Sequence, residues 1–393
     1  MPRFPARMYC VAVAGLALLL AAPALAQRPT VRDSAGVRIV EHETVRGAPV
    51  AFRFATSPFY DVGGVNDDPR LELLGRTPWE EAIRLSDGRL VVAEANELRV
   101  FGPDGRYIRT IGRKGQGPGE FPNQIGILCR LRGDSILAIQ YGGVRATVFT
   151  SEGQYVRMTP LTEYVPRFAC TEDGRVLVQA IHTDRDAYRA AGLYRDEAFT
   201  FLDTKTGRTQ SPPVTTFRVA MFKGAEQRNT TIAIHGERIY VANGETYEIR
   251  VHGLDGTLRQ ILRVAEKPPP FTDADARVMR DSPMATLRPA THYAFDEVRV
   301  DALGRIWVED HVHPTPFPAP TAGDPVREPP PPPIAGWTVF TPDGELLGRV
   351  AIPASGKSRF EVVSIGADYA LFGVWLEEDL GAIRYRMYRF TRP

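Results

Sequence analysis

Short apolar runs alternate with tight polar turns along most of this chain. The first complete unit starts at Ala82 with an apolar run, turns through Ser-Asp-Gly-Arg at 86–89, and continues with a second apolar run. A third run ends at Phe101 and is followed by another Asp-Gly turn. Asp-Gly between apolar runs is a strong hairpin signal, because glycine accepts a positive φ without a Cβ clash. The unit therefore predicts a small antiparallel sheet.

This unit recurs along the chain. Its first hairpin turn appears at 86–89, 132–135, 172–175, 235–238, 302–305 and 366–369. Its third, often aromatic, strand appears at 98–101, 146–149, 198–202, 248–251, 337–340 and 386–390. A period of roughly 40–50 residues with four strands in each unit is typical of propeller blades. The predicted fold is all-β, a six-bladed β-propeller with four-stranded blades; a pair of β-sandwiches, the alternative, would not repeat in register.

The sixth unit supplies only three strands before the chain ends, which would leave a sheet edge unpaired. The N-terminal region contains spare strand-like runs at 37–40, 50–54 and 59–64. The last of these imitates the end of the first unit. We therefore predict that the N-terminal segment completes the sixth blade, beside the strand at 384–390, and closes the ring.

Two insertions have a composition of their own. Thr272 is followed three residues later by Asp275 and then by Pro283, a pattern that predicts one short helix with a capping box. Ten prolines lie within residues 314–333, inside the loop insertion 309–336 of the fifth blade. This stretch is predicted to be extended polyproline, interpreted as a solvated loop, with docking into a partner groove as the alternative.

Residues 1–26 have the pattern of a secretory signal peptide. Two arginines precede an apolar run, Val11–Leu20, and Ala24-Leu-Ala26 forms a small-residue cleavage site. A membrane anchor is the alternative, but the run is too short to span a bilayer. We predict cleavage after Ala26, a mature propeller domain at 27–393, and a periplasmic or secreted location without a lipid anchor.

Charge and cysteine content limit the partners. Loss of the signal peptide leaves 46 of the 48 basic residues against 47 acidic ones. This balance, together with export, argues against nucleic acid, which needs a basic surface. The expected partner is a protein or a small molecule, with no membrane span after cleavage and a monomeric state. Cys129 and Cys170 fall on corresponding innermost strands of neighbouring blades, and two buried thiols are favoured over a disulfide.

The segment I-G-R-K-G-Q-G-P-G-E-F-P at 111–122 resembles the linker between blades in NHL-repeat and related six-bladed propellers. The runs D-S-A-G-V-R-I-V at 33–40 and G-R-I-W-V at 304–308 are similar to a bacterial exported six-bladed propeller family of uncharacterised function. The resemblance implies a fold and an interaction role, and it implies no reaction.

Blade topology predicts which face of the ring is functional. With strands a to d running from the axis to the rim, the tight turns join a to b and c to d on one face. The long connections at 64–79, 182–197, 265–295 and 309–336 then gather on the other face, where 182–197, 309–336 and 375–380 are expected to frame the docking site. Functional residues concentrate on loops that a rigid scaffold holds in place, so we predict that ligands dock on this second face.

Candidate ligand-binding residues lie in these loops and at the strand entrances around the channel mouth. They are Trp79, Glu80, Arg167, His182, Arg185, Arg228, Tyr293, His311, His313 and Arg359. The arginines could clamp a carboxylate or phosphate, although ion pairs between blades are the favoured interpretation. Glu309, His311 and His313, together with His182, Asp184 and Asp186 from a loop that could meet them over the axis, could hold a divalent metal such as zinc; no other cofactor is expected.

Motifs of common catalytic sites are absent from the sequence, which contains no G-x-S-x-G, no P-loop and no H-E-x-x-H. No catalytic residue is therefore assigned. The sequence favours a binding or interaction scaffold over an enzyme, with a metal-assisted hydrolase or lactonase at the channel mouth as the alternative.

Overall fold

A computed structural model gives the fold of the chain. It describes residues 28–65, 68–73, 82–141, 145–161, 168–179, 194–220, 230–278, 288–311, 336–353, 359–376 and 382–393. The strands in these ranges form six sheets, one for each predicted unit. The chain folds as a six-bladed β-propeller, as predicted.

Four strands precede the first complete blade, and the blades then follow in chain order. The N-terminal strands are β1 (Thr30–Ser34), β2 (Val37–His42), β3 (Arg53–Phe54) and β4 (Tyr60–Gly63). Blade 1 contains β5 (Ala82–Arg84), β6 (Leu90–Glu94), β7 (Glu97–Phe101) and β8 (Tyr107–Ile111). Blade 2 contains β9 (Ile125–Arg130), β10 (Ile136–Gln140), β11 (Arg145–Phe149) and β12 (Tyr155–Pro160), with a 3-10 turn at Arg132–Asp134. Blade 3 contains β13 (Phe168–Cys170), β14 (Arg175–Gln179), β15 (Tyr194–Asp203), β16 (Arg208–Thr209) and β17 (Thr215–Ala220).

The second half of the ring is built in the same way. Blade 4 contains β18 (Thr231–His235), β19 (Arg238–Ala242), β20 (Glu248–Gly253) and β21 (Leu258–Val264). The helix α1 (Asp273–Val278) follows it. Blade 5 contains β22 (Val298–Val300), β23 (Ile306–Glu309), β24 (Gly336–Phe340) and β25 (Leu346–Ala351). Blade 6 contains β26 (Arg359–Ile365), β27 (Tyr369–Trp375) and β28 (Ile383–Thr391).

The repeated turns and third strands form as the sequence predicts. Gly88 and Gly304 adopt φ of +92° and +78° in the first turns of blades 1 and 5, which explains why glycine recurs there. The third strands bring Phe101, Phe149 and Phe340 into the core, where each is at most 2% exposed. The core therefore lies between neighbouring blades, and each blade is stabilised by the two that flank it.

The N-terminal segment closes the ring, as predicted. Residues 60–63 of β4 pair antiparallel with residues 384–387 of β28, and β3 pairs with the end of the same strand. Blade 6 thus gains its fourth strand from the other end of the chain. This closure covers the edge of β28 that the sixth unit would otherwise leave bare.

One part of the closure prediction is wrong. The run at 37–40 does not join blade 6; it forms β2, which lies parallel to β21 on the outer edge of blade 4, with β1 outside it. Val40 is fully buried there, and the His42 Nε2 lies 2.8 Å from the carbonyl oxygen of Gly344 in blade 5. A buried valine and a bonded histidine explain why this edge, rather than blade 6, takes the strand.

We call residues 28–63 the strap, because they follow the rim across three blades. After β2, the Ala51 amide donates to the Arg349 carbonyl at 2.8 Å and so reaches the outer strand of blade 5. Phe52 then packs between blades 5 and 6, with its ring centroid 5.6 Å from that of Trp307 and 5.0 Å from that of Phe390. The strap therefore joins blades 4, 5 and 6 along their outer edges.

The predicted helix is present over Asp273–Val278. Its capping box forms as expected, since the Thr272 amide donates to Asp275 Oδ2 at 2.7 Å and the Asp275 amide donates to Thr272 Oγ1 at 3.3 Å. The predicted end at Pro283 lies outside the described residues, as does the proline-rich stretch at 314–333.

The two cysteines form a disulfide, so the interpretation as free thiols is wrong. Cys129 on β9 and Cys170 on β13 have Cα atoms 6.3 Å apart, inside the range that a disulfide spans. The sequence places both residues on inner strands, but only the packing of blades 2 and 3 brings them this close. In the part of the chain that the structure describes, no helix is long and apolar enough to span a membrane.

Candidate functional site

The order of strands within the blades defines two different faces. In each sheet the strands follow chain order from the axis outward, apart from the split outer strand of blade 3 and the strap. We call the face with the a–b and c–d turns the lower face. The upper face carries the b–c connections and the connections between blades, which include the long segments singled out in the sequence.

The lower face is tied together by hydrogen bonds between the turns of neighbouring blades. The bonds are Ser86 N to Asp134 Oδ2 at 3.0 Å, Arg132 N to Glu172 O at 2.8 Å, Arg238 Nη1 to Pro342 O at 3.1 Å and Arg305 Nη2 to Ala367 O at 2.7 Å. They link blades 1 to 2, 2 to 3, 4 to 5 and 5 to 6. The polar groups in these bonds therefore hold neighbouring blades together.

At the upper face, the second strands of four blades end in a carboxylate or an amide. These residues are Glu94, Gln140, Gln179 and Glu309. Glu94 and Gln140 are almost fully buried, and Gln140 Nε2 donates to the carbonyl oxygen of Asn123 at 3.2 Å. Because second strands lie close to the axis, these polar ends surround the upper mouth of the channel.

Among the described residues, a cluster of charged side chains lies at this mouth between blades 5 and 6. We call Asp296, Glu297, Arg299, Glu309 and Glu361 the mouth cluster. Arg299 Nε donates to Glu297 Oε2 at 3.0 Å, and Arg299 Nη1 donates to the carbonyl oxygen of Val363 at 3.0 Å, so this guanidinium joins the two inner strands. The cluster holds one guanidinium among four carboxyl groups and is acidic as a whole.

Burial and like charge change the acidity of the cluster. The pKa of Glu309 is raised to about 8, first by burial and then by the nearby carboxylates of Glu297 and Asp296. Burial also raises the pKa of Glu361, although Arg359 and Arg299 oppose the change. Glu309 therefore holds its proton near neutral pH and can donate a hydrogen bond there.

Glu309 should make stability depend on pH. Its folded-state pKa of about 8 exceeds the ordinary value of 4.5, so its stabilising contribution is complete below about pH 4.5 and is lost as pH rises towards 8. Each tenfold change in proton affinity is worth about 1.4 kcal/mol. Glu309→Gln cannot ionise, so its stability lacks this loss as pH rises. We expect its free energy of unfolding, relative to that of the native chain, to increase by at least about 1 kcal/mol from about pH 5 to pH 8.

The measurement is chemical unfolding of both proteins across this pH range. Glu345→Gln serves as the control, because Glu345 is an exposed carboxylate in a lower-face turn of the same blade. Parallel pH profiles for the native chain and Glu309→Gln would show that the Glu309 carboxyl ionises normally, contrary to the prediction.

His311 lies beside the mouth cluster, packed against the linker that precedes blade 5. Its Nδ1 is 2.6 Å from Asp296 Oδ1, and its ring centroid is 5.1 Å from that of Tyr293 and 5.9 Å from that of His292. His292 Nε2 in turn is 3.1 Å from Asp275 Oδ2. This chain of contacts connects α1 to the mouth, and changes at His311 or Tyr293 are expected to reduce stability.

Arg359 is the most accessible of the predicted site residues that the structure describes. Its side chain is 75% exposed, and its guanidinium carbon lies 5.2 Å from the centre of the Trp375 ring. One guanidinium nitrogen is 3.8 Å from a Glu361 oxygen, too long for a hydrogen bond. Arg359 therefore places an exposed positive charge next to the acidic mouth cluster.

The structure brings three of the predicted site residues, Tyr293, His311 and Arg359, to the upper face. The others lie outside the described residues: Trp79, Glu80, Arg167, His182, Arg185, Arg228 and His313. Within the described ranges, no group of three or more His, Cys, Asp and Glu side chains is arranged to hold a metal ion. The metal site predicted around His182, His311 and His313 stays a prediction.

Sequence reasoning missed Glu297, Arg299 and Glu361 as members of a cluster. Glu297 and Arg299 flank the start of an inner strand, while Glu361 belongs to the next blade, so no fixed spacing joins them. One signal was available. The second strands L-V-V-A-E, I-L-A-I-Q, R-V-L-V-Q and I-W-V-E all end in Glu or Gln, which marks the polar upper mouth.

Fold and mouth geometry place the chain among six-bladed β-propellers. A family model described as a 6-bladed beta-propeller, DUF5128, matches residues 80–252, which is less than half of the chain. None of the curated proteins matches the sequence.

Two solved structures support the same fold. A protein of Bacteroides fragilis NCTC 9343, whose name describes it as exported, is similar with a TM-score of 0.52 and 12% identity over 90% of this chain and 99% of that one. A member of the DUF4221 family from Bacteroides vulgatus ATCC 8482 has a TM-score of 0.51 and 12% identity over 87% of this chain and 99% of that one. At this identity the likeness concerns the fold alone, and it agrees with the expected resemblance to exported propellers.

Proposed function

We propose that this protein is an exported binding scaffold that holds a protein or small-molecule partner on its upper face, over the channel mouth. The observation that supports this proposal is the difference between the two faces of the ring. Turns on the lower face bond to each other from blade to blade, whereas every long connection opens on the upper face. A rigid ring with all its long loops on one side is suited to recognition.

The charges at the mouth favour a partner that brings positive charge or hydrogen-bond donors to blades 5 and 6. Four carboxyl groups there face one guanidinium inside the cluster and that of Arg359 at its border. The negative potential of such a surface attracts an oppositely charged partner and raises its rate of association, even where the contact area is modest. The proton on Glu309 adds a donor that could bond to a partner's carbonyl group.

The test is photo-crosslinking of the full chain in a bacterial host that exports it. A benzophenone amino acid replaces Tyr141 on the upper face in one variant and Leu303 on the lower face in the other. These two side chains are 58% and 57% exposed, so they are matched in accessibility and differ in face. We expect a discrete adduct of increased mass from position 141 and none from position 303.

Charge reversal tests the role of the mouth. Arg359→Glu in the Tyr141 variant extends the acidic surface and should raise the adduct yield. Arg106→Glu should leave the yield unchanged, because Arg106 is an 88% exposed side chain in a lower-face turn. Adducts that form from position 303 instead would place the working surface on the lower face and contradict the proposal. The N-terminus of the exported protein, expected to be Gln27, is read from the same sample.

A further inference from the structure

The contacts between neighbouring blades, which we call seams, differ in what fills them. The seam between blades 1 and 2 buries Phe121 and Phe149, and the seam between blades 3 and 4 buries Phe199 and Phe217. Aromatic rings also fill the cores between blades 4 and 5, 5 and 6, and 6 and 1. Each such ring buries roughly 150–250 Å², so these seams are held by large apolar contacts.

The seam between blades 2 and 3 is different. Its core, as far as the described side chains define it, is made of aliphatic residues and cysteine without an aromatic ring. Its buried members are Ile127, Cys129, Leu137, Ile139, Ala146, Val148, Leu161, Val176, Val178 and Leu202. Smaller side chains bury less apolar area per residue, so packing stabilises this seam less than its neighbours.

The disulfide lies in this same seam. Cys129 is 5% exposed in the aliphatic core, and Cys170 packs against it from the facing blade. Cys170 ends β13, an inner strand of three residues whose ladder to β14 spans only Phe168 to Cys170. A short strand with a short ladder gains most from a covalent link to its neighbour.

The other hydrogen bonds that the described residues make across this seam lie closer to the lower face or closer to the rim. The Arg132 amide donates to the Glu172 carbonyl between the first turns, and Arg157 Nη1 donates to the Thr204 carbonyl at 3.1 Å near the rim. They fasten the lower edge of the seam. The link between the inner strands β9 and β13, next to the channel, is the disulfide.

We propose that the seam between blades 2 and 3 is a redox-dependent joint of the ring, clamped at the channel by the Cys129–Cys170 disulfide and loosened when a dithiol reduces it. In that reduction the S–S bond breaks and each cysteine sulfur gains one electron and one proton. The dithiol attacks one sulfur to form a mixed disulfide, and its second thiol then displaces the cysteine. It thereby supplies both electrons and both protons and ends as a cyclic disulfide.

The state of this joint depends on whether the surroundings of the protein are oxidising or reducing. In an oxidising compartment the clamp is closed and blade 3 is held against blade 2 up to the channel. Under reducing conditions the inner strand of blade 3 keeps its three-residue ladder and its packing against β18, but it loses its covalent link to β9. Local opening of this aliphatic seam then requires less free energy. The lower-face bonds keep the blades attached, and the other seams stay closed.

Hydrogen exchange of the full chain, followed by mass spectrometry with and without dithiothreitol, tests the joint. Alkylation of the freed thiols confirms reduction. We expect amides of β9, β13 and β14 to exchange more than about tenfold faster after reduction, while β23 and β24 of blade 5 stay unchanged as the internal control. Reduction keeps every side chain in place, so the result does not depend on whether a variant folds.

A Cys129→Ala/Cys170→Ala double variant provides the second arm. It should exchange as fast as the reduced protein in blades 2 and 3 and should show no response to dithiothreitol. Three results would overturn the proposal: a disulfide that the dithiol cannot reduce in the folded protein, exchange in blades 2 and 3 that does not change, or exchange that rises equally in all blades. None of these results bears on upper-face binding, which the crosslinking experiment tests separately.

Discussion

A chain that lacks residues 28–63 should fail to form a stable monomer. Without the strap, β28 loses its outer partner along most of its nine residues, and blade 6 presents a long unpaired edge. The deletion also removes Phe52, Tyr60 and Val62, each at most 6% exposed in the folded ring. Truncation of one buried phenylalanine to alanine costs about 3–5 kcal/mol, and a whole domain is stable by only about 5–15 kcal/mol.

Size-exclusion chromatography with light scattering measures this outcome. A shorter deletion, of residues 28–43, is the matched control, because it removes β1 and β2 but keeps the strands that complete blade 6. Blade 4 retains its own four strands in that variant, so a folded monomer of lower stability is expected. If both truncated chains were equally stable monomers, the strap would not be what closes the ring.

Asp301→Ala should cost about 3–5 kcal/mol, because it leaves a guanidinium that is only 12% exposed without its carboxylate and a buried indole N–H without its acceptor. Asp301 is 1% exposed, and its Oδ1 accepts from the amides of Leu303 and Arg305, both at 2.9 Å. Its Oδ2 accepts from Trp307 Nε1 at 2.8 Å and from Arg305 Nε. One carboxylate thus holds the first turn of blade 5, an arginine and a fully buried tryptophan.

Urea unfolding curves compare this variant with two others. Asp301→Asn keeps one acceptor oxygen and should fall between the native chain and the alanine variant. Asp104→Ala, in a turn where the Asp104 side chain is 60% exposed, should cost less than about 1 kcal/mol. Similar losses for Asp301→Ala and Asp104→Ala would mean that the buried hydrogen bonds of Asp301 contribute little.

Local patterns were sufficient to predict the blades. Each blade forms from consecutive strands joined by turns, so its strands, its Asp-Gly turns and its buried third-strand aromatics are all encoded within about 50 residues. The capping box at Thr272 and Asp275 is equally local and forms as predicted. The strands assigned to all six units are present in the structure.

Contacts between distant parts of the chain were not predictable in the same way. The alternation in V-R-I-V shows that one side of this run is buried, but it does not say which blade it joins, and β2 lies beside β21 rather than β28. The disulfide is a similar case. The spacing of 41 residues between the cysteines fits equal positions in neighbouring blades, yet only the approach of β9 and β13 makes the bond possible.

The candidate site was predictable at the level of the face and not at the level of its charges. Strand order alone assigns the long connections to one side of the ring. The raised pKa of Glu309 depends on burial and on Glu297 and Asp296, which approach it only because the chain before β22 continues the ladder beside β23. The contact of His311 with Asp296 joins a residue after β23 to one before β22, and no local pattern in the sequence reveals it.

The path of the strap also sets the order in which the ring can be assembled. Its first strand pairs are made with β21, where Arg38 lies opposite Gln260, its next contact is with Arg349, and its last is with β28 near the C-terminus. A chain that emerges N-terminus first exposes the strap long before any of these partners exists. Closure of blade 6 therefore requires both ends of the chain, and until β28 is available the strands β3 and β4 lack their partner and could pair with other chains.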